Sequence, residues 1–385
     1  MERDRTVLVL GGGVGGLVTA VELRKRLPRR HRVVLVEREA EHVFAPSLLW
    51  VMVGKRNRGD IARPLARLVK RGIEVVRGEI ERIEPDARRV TVNGQVLTGD
   101  HIVVSLGAEL APEAIPGLAE AGQTFYTPAG AEALSAAIKG FRAGRLVVLT
   151  AAPAYKCPAA PYEAALLMEA DCRGRKVRGQ VQIDLYAAEP GPLGVAGPVV
   201  SAGVRALVEA KGITYHPGHQ VERVDAAARR LRFTNGAEAA FDLLAYVPPH
   251  RAPKVAREAG LVGESGWVDV DRHLLTTRFP GVHAIGDITG IPLTMGKPLP
   301  KAGVFAHGQA EVVAQNIARA ITGLGTAARF EGYGECFVET GDGRAGFGKG
   351  NFYGEPLPEV RLHAPSRLHH WGKVWFEKHW LWRWF

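Results

Sequence analysis

Thr6-Val7-Leu8-Val9-Leu10-Gly11-Gly12-Gly13-Val14-Gly15-Gly16 is the stretch on which the fold turns. Its short apolar run reads as a buried parallel strand, and the glycines that follow open onto a helix-like segment from Leu17 to Leu27. Gly11, Gly13 and Gly16 have the spacing that permits a tight turn and close approach of the backbone to a pyrophosphate, whose charge the helix N-terminus meets. A second apolar run, His31 to Val36, delivers Glu37 twenty-one residues after Gly16, where a carboxylate can accept from a ribose diol. A dinucleotide-binding βαβ unit is predicted.

Two further segments decide which dinucleotide is expected. Thr276 to Asp287 ends in Gly286-Asp287 and resembles the second FAD fingerprint of flavoproteins with two dinucleotide-binding domains. In those proteins the Asp holds the ribityl chain. His101-Ile102-Val103-Val104-Ser105-Leu106-Gly107-Ala108 resembles the strand and glycine that close the first FAD segment of the same fold. Three motifs in the right order favour FAD over NAD at this first site.

Strands near Leu146 to Thr150, Val181 to Ala187 and Gly212 to Tyr215 alternate with helical stretches such as Pro161 to Ala170 and Gly203 to Lys211, so a second doubly wound unit is expected. The predicted class is therefore α/β, with two Rossmann-like domains, the second inserted in the first, and a C-terminal membrane-interface segment. Residues 1–112 and 250–325 form the FAD domain, 113–249 the insertion, and 326–385 the C-terminal region. Where the insertion should carry its own glycine loop, Ala151-Ala152-Pro153-Ala154-Tyr155 follows the strand. Bulkier residues and a φ-fixing proline obstruct approach to a phosphate, which argues against a nicotinamide electron donor.

That same loop runs on to Cys157, ahead of a helix whose N-terminus favours a thiolate. The chain has three cysteines, Cys157, Cys172 and Cys336, and none forms a CxxC pair. From counts alone they read as three reduced thiols, two of them buried in cores, with a pair distant in sequence as the alternative. Glu163 stands six residues beyond Cys157, either as a proton relay to the sulfur or as a first-turn carboxylate favoured by the helix dipole.

With 385 residues, 46% of them hydrophobic, the chain can bury two or three cores, and no run approaches the ~20 apolar residues of a membrane span. Met1-Glu2-Arg3-Asp4-Arg5 leads directly into the first strand, so no secretory signal peptide is expected. The formal charge of +10 suits an anionic partner or simply a basic surface. No RNA-binding fingerprint or zinc spacing appears, which disfavours nucleic acid and metal.

Phe44-Ala45-Pro46-Ser47-Leu48-Leu49-Trp50-Val51-Met52-Val53-Gly54, the Cys157 to Glu163 motif, Pro300-Lys301-Ala302-Gly303 and the Cys336 region together resemble sulfide:quinone oxidoreductases and their kin, the flavoprotein subunits of flavocytochrome c sulfide dehydrogenase. The likeness runs from Thr6 to Phe385. It implies FAD contacts from Gly11, Gly13, Gly16, Glu37, Pro46, Ser47, Ile80, Gly107, Asp287 and Lys301. Lys301 would stabilise charge on reduced flavin, or be a solvated lysine. The resemblance also implies a redox disulfide or persulfide pair, Cys157 with Cys336, assisted by Glu163. Hydrosulfide would attack the oxidised pair, and two electrons would pass through FAD to a membrane quinone. A third functional cysteine that many members carry is missing near Phe125 to Thr127.

Leu368 to Phe385 holds five of the seven tryptophans, interleaved with basic residues. On a helical wheel Trp371, Val374, Trp375, Trp382 and Phe385 gather on one side, with Trp380 and Trp384 broadening the stripe. This reads as a monotopic anchor, or alternatively as a helix docked on its own domain or on another subunit. As an anchor it would place the protein peripherally on the cell membrane, and its removal would leave the sulfide chemistry intact. Phe347, Phe352 and Tyr353 are candidates for a quinone channel, or else loop aromatics packing on the core. A cytochrome acceptor, an NADH:quinone reductase, a flavin redox sensor and a homo-oligomer remain open.

Overall fold

A computed structural model describes residues 3–385; Met1 and Glu2, part of the segment searched for an export signal, lie outside them. Thr6–Leu10 forms the central strand of a five-stranded parallel sheet, flanked by Arg32–Glu37 and His101–Val104, with Glu74–Arg77 and Val282–Ala284 at the edges. Parallel strands covered on both faces need near-continuous apolar sequence, and Val7, Leu8, Val9, Leu10, Val33, Val34, Leu35 and Val36 are all buried. The helix Val14–Arg26 leaves the glycine turn and packs beside the long helix Gly303–Thr322.

A second five-stranded parallel sheet is built on Gly144–Thr150, with Val181–Ala187 and Thr214–His216 on one side and Leu243–Val247 and Gln123–Thr124 on the other. The helix Ala160–Gly174 starts directly after the cysteine loop. Each sheet carries an antiparallel three-stranded meander, Ile80–Thr98 and Val221–Ala240, whose short strands have no strong apolar run.

The C-terminal region opens as a three-stranded antiparallel sheet, Tyr333–Gly341, Arg344–Asn351 and Glu359–Ser366. Cys336 and Phe347 therefore lie on regular strands. The tail is one helix, Arg367–Arg383, with Ser366 as N-cap accepting from the His369 N–H. No helix among the described residues is long and apolar enough to cross a membrane, and none of their His, Cys, Asp and Glu side chains cluster to hold a metal ion.

Candidate active site

The glycine turn shows why these positions are glycine. Gly11 has φ +99, and a Cβ there would lie 2.6 Å from the Ser105 carbonyl oxygen; a Cβ at Gly16 would meet the Gly11 carbonyl at 1.8 Å. Around Gly13 there is open space, as there is around Gly107, which has φ +66. Glu37 reaches back to accept from the Gly12 N–H, and its second oxygen accepts from Glu39. Ile80 is buried at the start of its strand.

Asp287 stands in the 3₁₀ turn Gly286–Ile288, whose first N–H donates to Gln309. Burial raises its carboxyl above the usual range against the pull of Lys156 and Lys301, and Oδ1 has no hydrogen-bond partner. An orphaned buried carboxylate oxygen, a glycine turn with room at Gly13 and a carboxylate at Glu37 together fit a bound FAD. Lys301, by contrast, spends its ammonium on the carbonyls of Asp287 (2.7 Å) and Thr289 (2.9 Å) and on the face of Trp267, 3.3 Å from the ring centroid. Burial lowers it to about 7.

Cys157 has φ +51, a left-handed conformation that non-glycine residues rarely adopt. Its N–H donates to the Lys301 carbonyl at 2.6 Å, joining the cysteine loop to the segment that follows Asp287. Its carbonyl caps the next helix through the Ala160 N–H. Cys157 is half-buried and Cys336 exposed, and both are free thiols here. The helix start does not dominate the electrostatics as the sequence suggests. Desolvation, Cys336 and Glu163 push the Cys157 thiol up, and desolvation with Glu163 pushes Cys336 up to about 12, while Lys373 opposes both.

Glu163 couples electrostatically to both thiols. It is buried, and Oε1 accepts from the Glu339 N–H at 2.6 Å and from the Lys373 ammonium at 2.7 Å. Burial raises its carboxyl against the pull of Lys373. Glu339 in turn meets His370 Nδ1 at 2.9 Å. Lys373 and His370 belong to the tail helix and were not singled out in the sequence; nothing local distinguishes them from the other cations of that segment.

The tail helix is thus part of the site, which corrects its reading as a separable anchor. Ser47 donates to Glu377 at 2.6 Å, and Arg56 pairs with the same carboxylate. Pro46 sits in the 3₁₀ turn beside Ser47. Trp380 donates its indole N–H to His42 Nε2 at 3.1 Å, which leaves Nδ1–H to donate to the Gly12 carbonyl at 2.9 Å. Burial lowers His42 to about 4, so the neutral tautomer required by this relay is the one present at neutral pH. Trp380, Leu381 and Trp384 are buried, whereas Leu368, Trp371, Trp375 and Trp382 are exposed. The two tryptophans that broaden the wheel therefore face inward, and Val374 and Phe385 pack partly on the core.

The three quinone candidates do not share one environment. Phe347 packs on Phe337 beneath the tail helix, with ring centroids 4.9 Å apart. Phe352 packs edge-on to Phe305, and Tyr353 is buried against Phe330 with its hydroxyl donating to the Arg272 carbonyl. Tyr353 is committed to the core.

In the inserted domain, Glu189 follows the second strand, where a nucleotide-binding relative would place a carboxylate for the ribose. Here it accepts from Thr150 (2.7 Å), Tyr155 (2.5 Å) and Tyr162 (2.8 Å). Three hydroxyls of the chain itself occupy that carboxylate, one of them from the loop that replaces the glycines.

The pyridine nucleotide-disulphide oxidoreductase family matches residues 5–310 of this chain. The sulfide-quinone reductase of Aquifex aeolicus is 27% identical over 395 residues, covering 98% of this chain and 90% of its own. The mitochondrial sulfide:quinone oxidoreductase of Mus musculus is 23% identical over 365 residues, covering 91% and 79%. The crystal structure of the sulfide:quinone oxidoreductase from Aquifex aeolicus superposes with a TM-score of 0.90 at 26% identity, over 99% of this chain and 91% of that one. Family membership implies FAD binding, in agreement with the fit at Gly13 and Asp287. By its glycine turn, its paired α/β sheets and this near-complete likeness, the chain belongs to the pyridine nucleotide-disulphide oxidoreductases and, within them, to the flavin-dependent sulfide:quinone oxidoreductase family.

Proposed function

We propose that the chain oxidises hydrosulfide through Cys157 and Cys336 and delivers two electrons, by way of FAD, to a quinone dissolved in a membrane. The carrying observation is that Glu163, six residues beyond Cys157, accepts from the Glu339 N–H three residues beyond Cys336 and so joins the two cysteine segments, with the Cys157 loop tied to Lys301 beside the Asp287 turn.

Hydrosulfide attacks the oxidised pair: the S–S bond between the cysteines breaks, a new S–S bond forms as a persulfide, and the other cysteine leaves as a thiolate. Rebonding of that thiolate to the persulfide sulfur makes a trisulfide and releases one proton and two electrons. FAD, which Gly13, Glu37 and Asp287 would hold, would supply the two-electron acceptor. Glu163, with its carboxyl raised by burial, takes up the proton released with the trisulfide, and Lys373 steadies the negative charge that passes between carboxylate and sulfur. Further rounds lengthen the sulfur bridge; once hydrosulfide has opened it, attack of the free cysteine thiolate on the sulfur of the other cysteine re-forms the Cys157–Cys336 bond and expels the chain as a polysulfide.

Exposed Leu368, Trp371, Trp375 and Trp382 on the tail helix support peripheral attachment to a membrane, and hence a quinone rather than a soluble cytochrome as acceptor. The Glu189 cluster argues against NADH as donor. Anaerobic addition of sulfide should bleach the bound flavin, Cys157→Ser and Cys336→Ser should each abolish that bleaching while retaining FAD, and Cys172→Ser should not. Bleaching by NADH but not by sulfide would overturn the reading.

A further inference from the structure

The peptide unit between Lys156 and Cys157 is gripped at both of its polar ends. Its N–H, on Cys157, donates to the Lys301 carbonyl at 2.6 Å. Its C=O, on Lys156, accepts from the Tyr126 hydroxyl at 2.8 Å, and the same hydroxyl lies 3.3 Å from the Cys157 carbonyl. Lys156 and Lys301 also form an isolated parallel bridge.

The orientation of this peptide plane sets φ at Cys157, and the value it imposes is +51. A cysteine is strained there relative to the right-handed or extended regions, so the pose persists only while the surroundings enforce it. Rotation of the plane by half a turn would return Cys157 to an ordinary φ. Without the clamp the loop can relax toward an ordinary φ at Cys157, and the backbone no longer fixes where the sulfur stands relative to Glu163. Tyr126 is itself well braced: its ring meets His250 edge-on at 5.5 Å and Phe125 at 5.2 Å, and the Lys156 ammonium lies over it at 5.9 Å.

We propose that Tyr126 is a positioning residue for the Cys157 sulfur: its hydroxyl and the Lys301 carbonyl clamp the Lys156–Cys157 peptide and hold the thiol in its left-handed pose. The proposal rests on the thiol chemistry assigned above, and its test separates the two.

Tyr126→Phe removes the hydroxyl and keeps the ring. Flavin content should stay as in the parent, and the rate constant for flavin bleaching by sulfide should fall on the order of 10- to 100-fold, as expected for a misplaced reacting atom. A second readout needs neither sulfide nor flavin. Diamide takes two electrons and two protons from the Cys157 and Cys336 thiols, which become joined by an S–S bond, while its N=N bond is reduced to a hydrazine. The rate of this cross-link, followed by mass spectrometry, should fall in Tyr126→Phe and recover when Tyr126 is replaced by 4-aminophenylalanine, which restores a donor at the same place. An unchanged cross-linking rate in Tyr126→Phe, or a fall that 4-aminophenylalanine does not restore, overturns the clamp. Parent protein that cross-links at the clamp-dependent rate yet shows no bleaching by sulfide would refute the sulfide chemistry and leave the clamp standing.

Discussion

The Lys373 ammonium lies 2.7 Å from Glu163 Oε1, although 210 residues separate them and they reach the pocket from opposite sides, one on the tail helix and one on the helix behind Cys157. Both are almost fully buried, so neither has water to fall back on if the other is removed. Lys373→Met should therefore leave Glu163 protonated to higher pH and, once Glu163 has ionised, leave both thiols facing its charge without the cation that lowers them. The alkaline limb of iodoacetamide labelling at Cys157 and Cys336 should move to higher pH, and Lys373→Arg should restore part of the shift. Labelling profiles that superpose would show that the pair does not tune the thiols.

The two faces of the tail helix should separate by mutation. Trp380→Phe keeps an aromatic ring but loses the donor to His42, and with it the hold on the Gly12 peptide; FAD should dissociate roughly 5- to 30-fold more readily, the usual worth of one buried hydrogen bond with its partner left unmet. Replacing the exposed Trp371, Trp375 and Trp382 by Ser should leave FAD in place and abolish sedimentation with phospholipid vesicles. Flavin fluorescence on dilution and a vesicle pull-down read the two effects independently.

Glu189→Ala should strand three hydroxyls inside the inserted domain. A loss of about 2–4 kcal/mol is expected, because Tyr155 and Tyr162 are buried and each loses its acceptor. Thermal melting should show the transition several degrees lower. A melt within one degree of the parent would mean that water replaces the carboxylate at no cost.

His283 and His42 are buried, and desolvation lowers each to about 4. Unfolded histidine titrates near 6.5, so between that value and about 4 the unfolded chain binds protons that the folded chain does not. Stability contributed by keeping them neutral is complete above about 6.5 and falls as the pH drops toward 4, by up to about 3 kcal/mol for each. His283→Leu removes a ring whose Nδ1 has no partner, and the difference in melting temperature between pH 7 and pH 5 should shrink. An undiminished difference would assign the acid sensitivity elsewhere.

Gly11, Gly13, Gly16 and Glu37 were legible in the sequence because a phosphate turn is local: its glycines and its carboxylate stand at fixed spacing within one βαβ unit. Cys157 was legible through an absence, the missing second glycine loop. Lys373 was not, since a lysine in a basic tail looks alike whether it faces solvent or Glu163, and only tertiary packing distinguishes them. The wheel could not separate Trp380 from Trp375, because an unbroken aromatic stripe says that a helix has partners on several sides without saying which partner is protein. The meanders at Ile80–Thr98 and Val221–Ala240 escaped for a different reason: strands of three to five residues, half of them polar, carry too short a period to register.

The hydrogen bond from Trp380 through His42 to Gly12 also has a meaning in time. At roughly 5–20 residues per second, some 20 to 70 seconds of synthesis separate the glycine turn from the helix that steadies it. Through that interval His42 and Phe44, joined late by His307, lack the Trp380 and Trp384 rings that later pack against them. A nascent chain of this design presents a sticky aromatic furrow to the ribosome's surroundings, and its cofactor pocket acquires its final brace only when the tail emerges. A chain that ended short of Trp380 would lack that brace, and its flavin would be held less tightly.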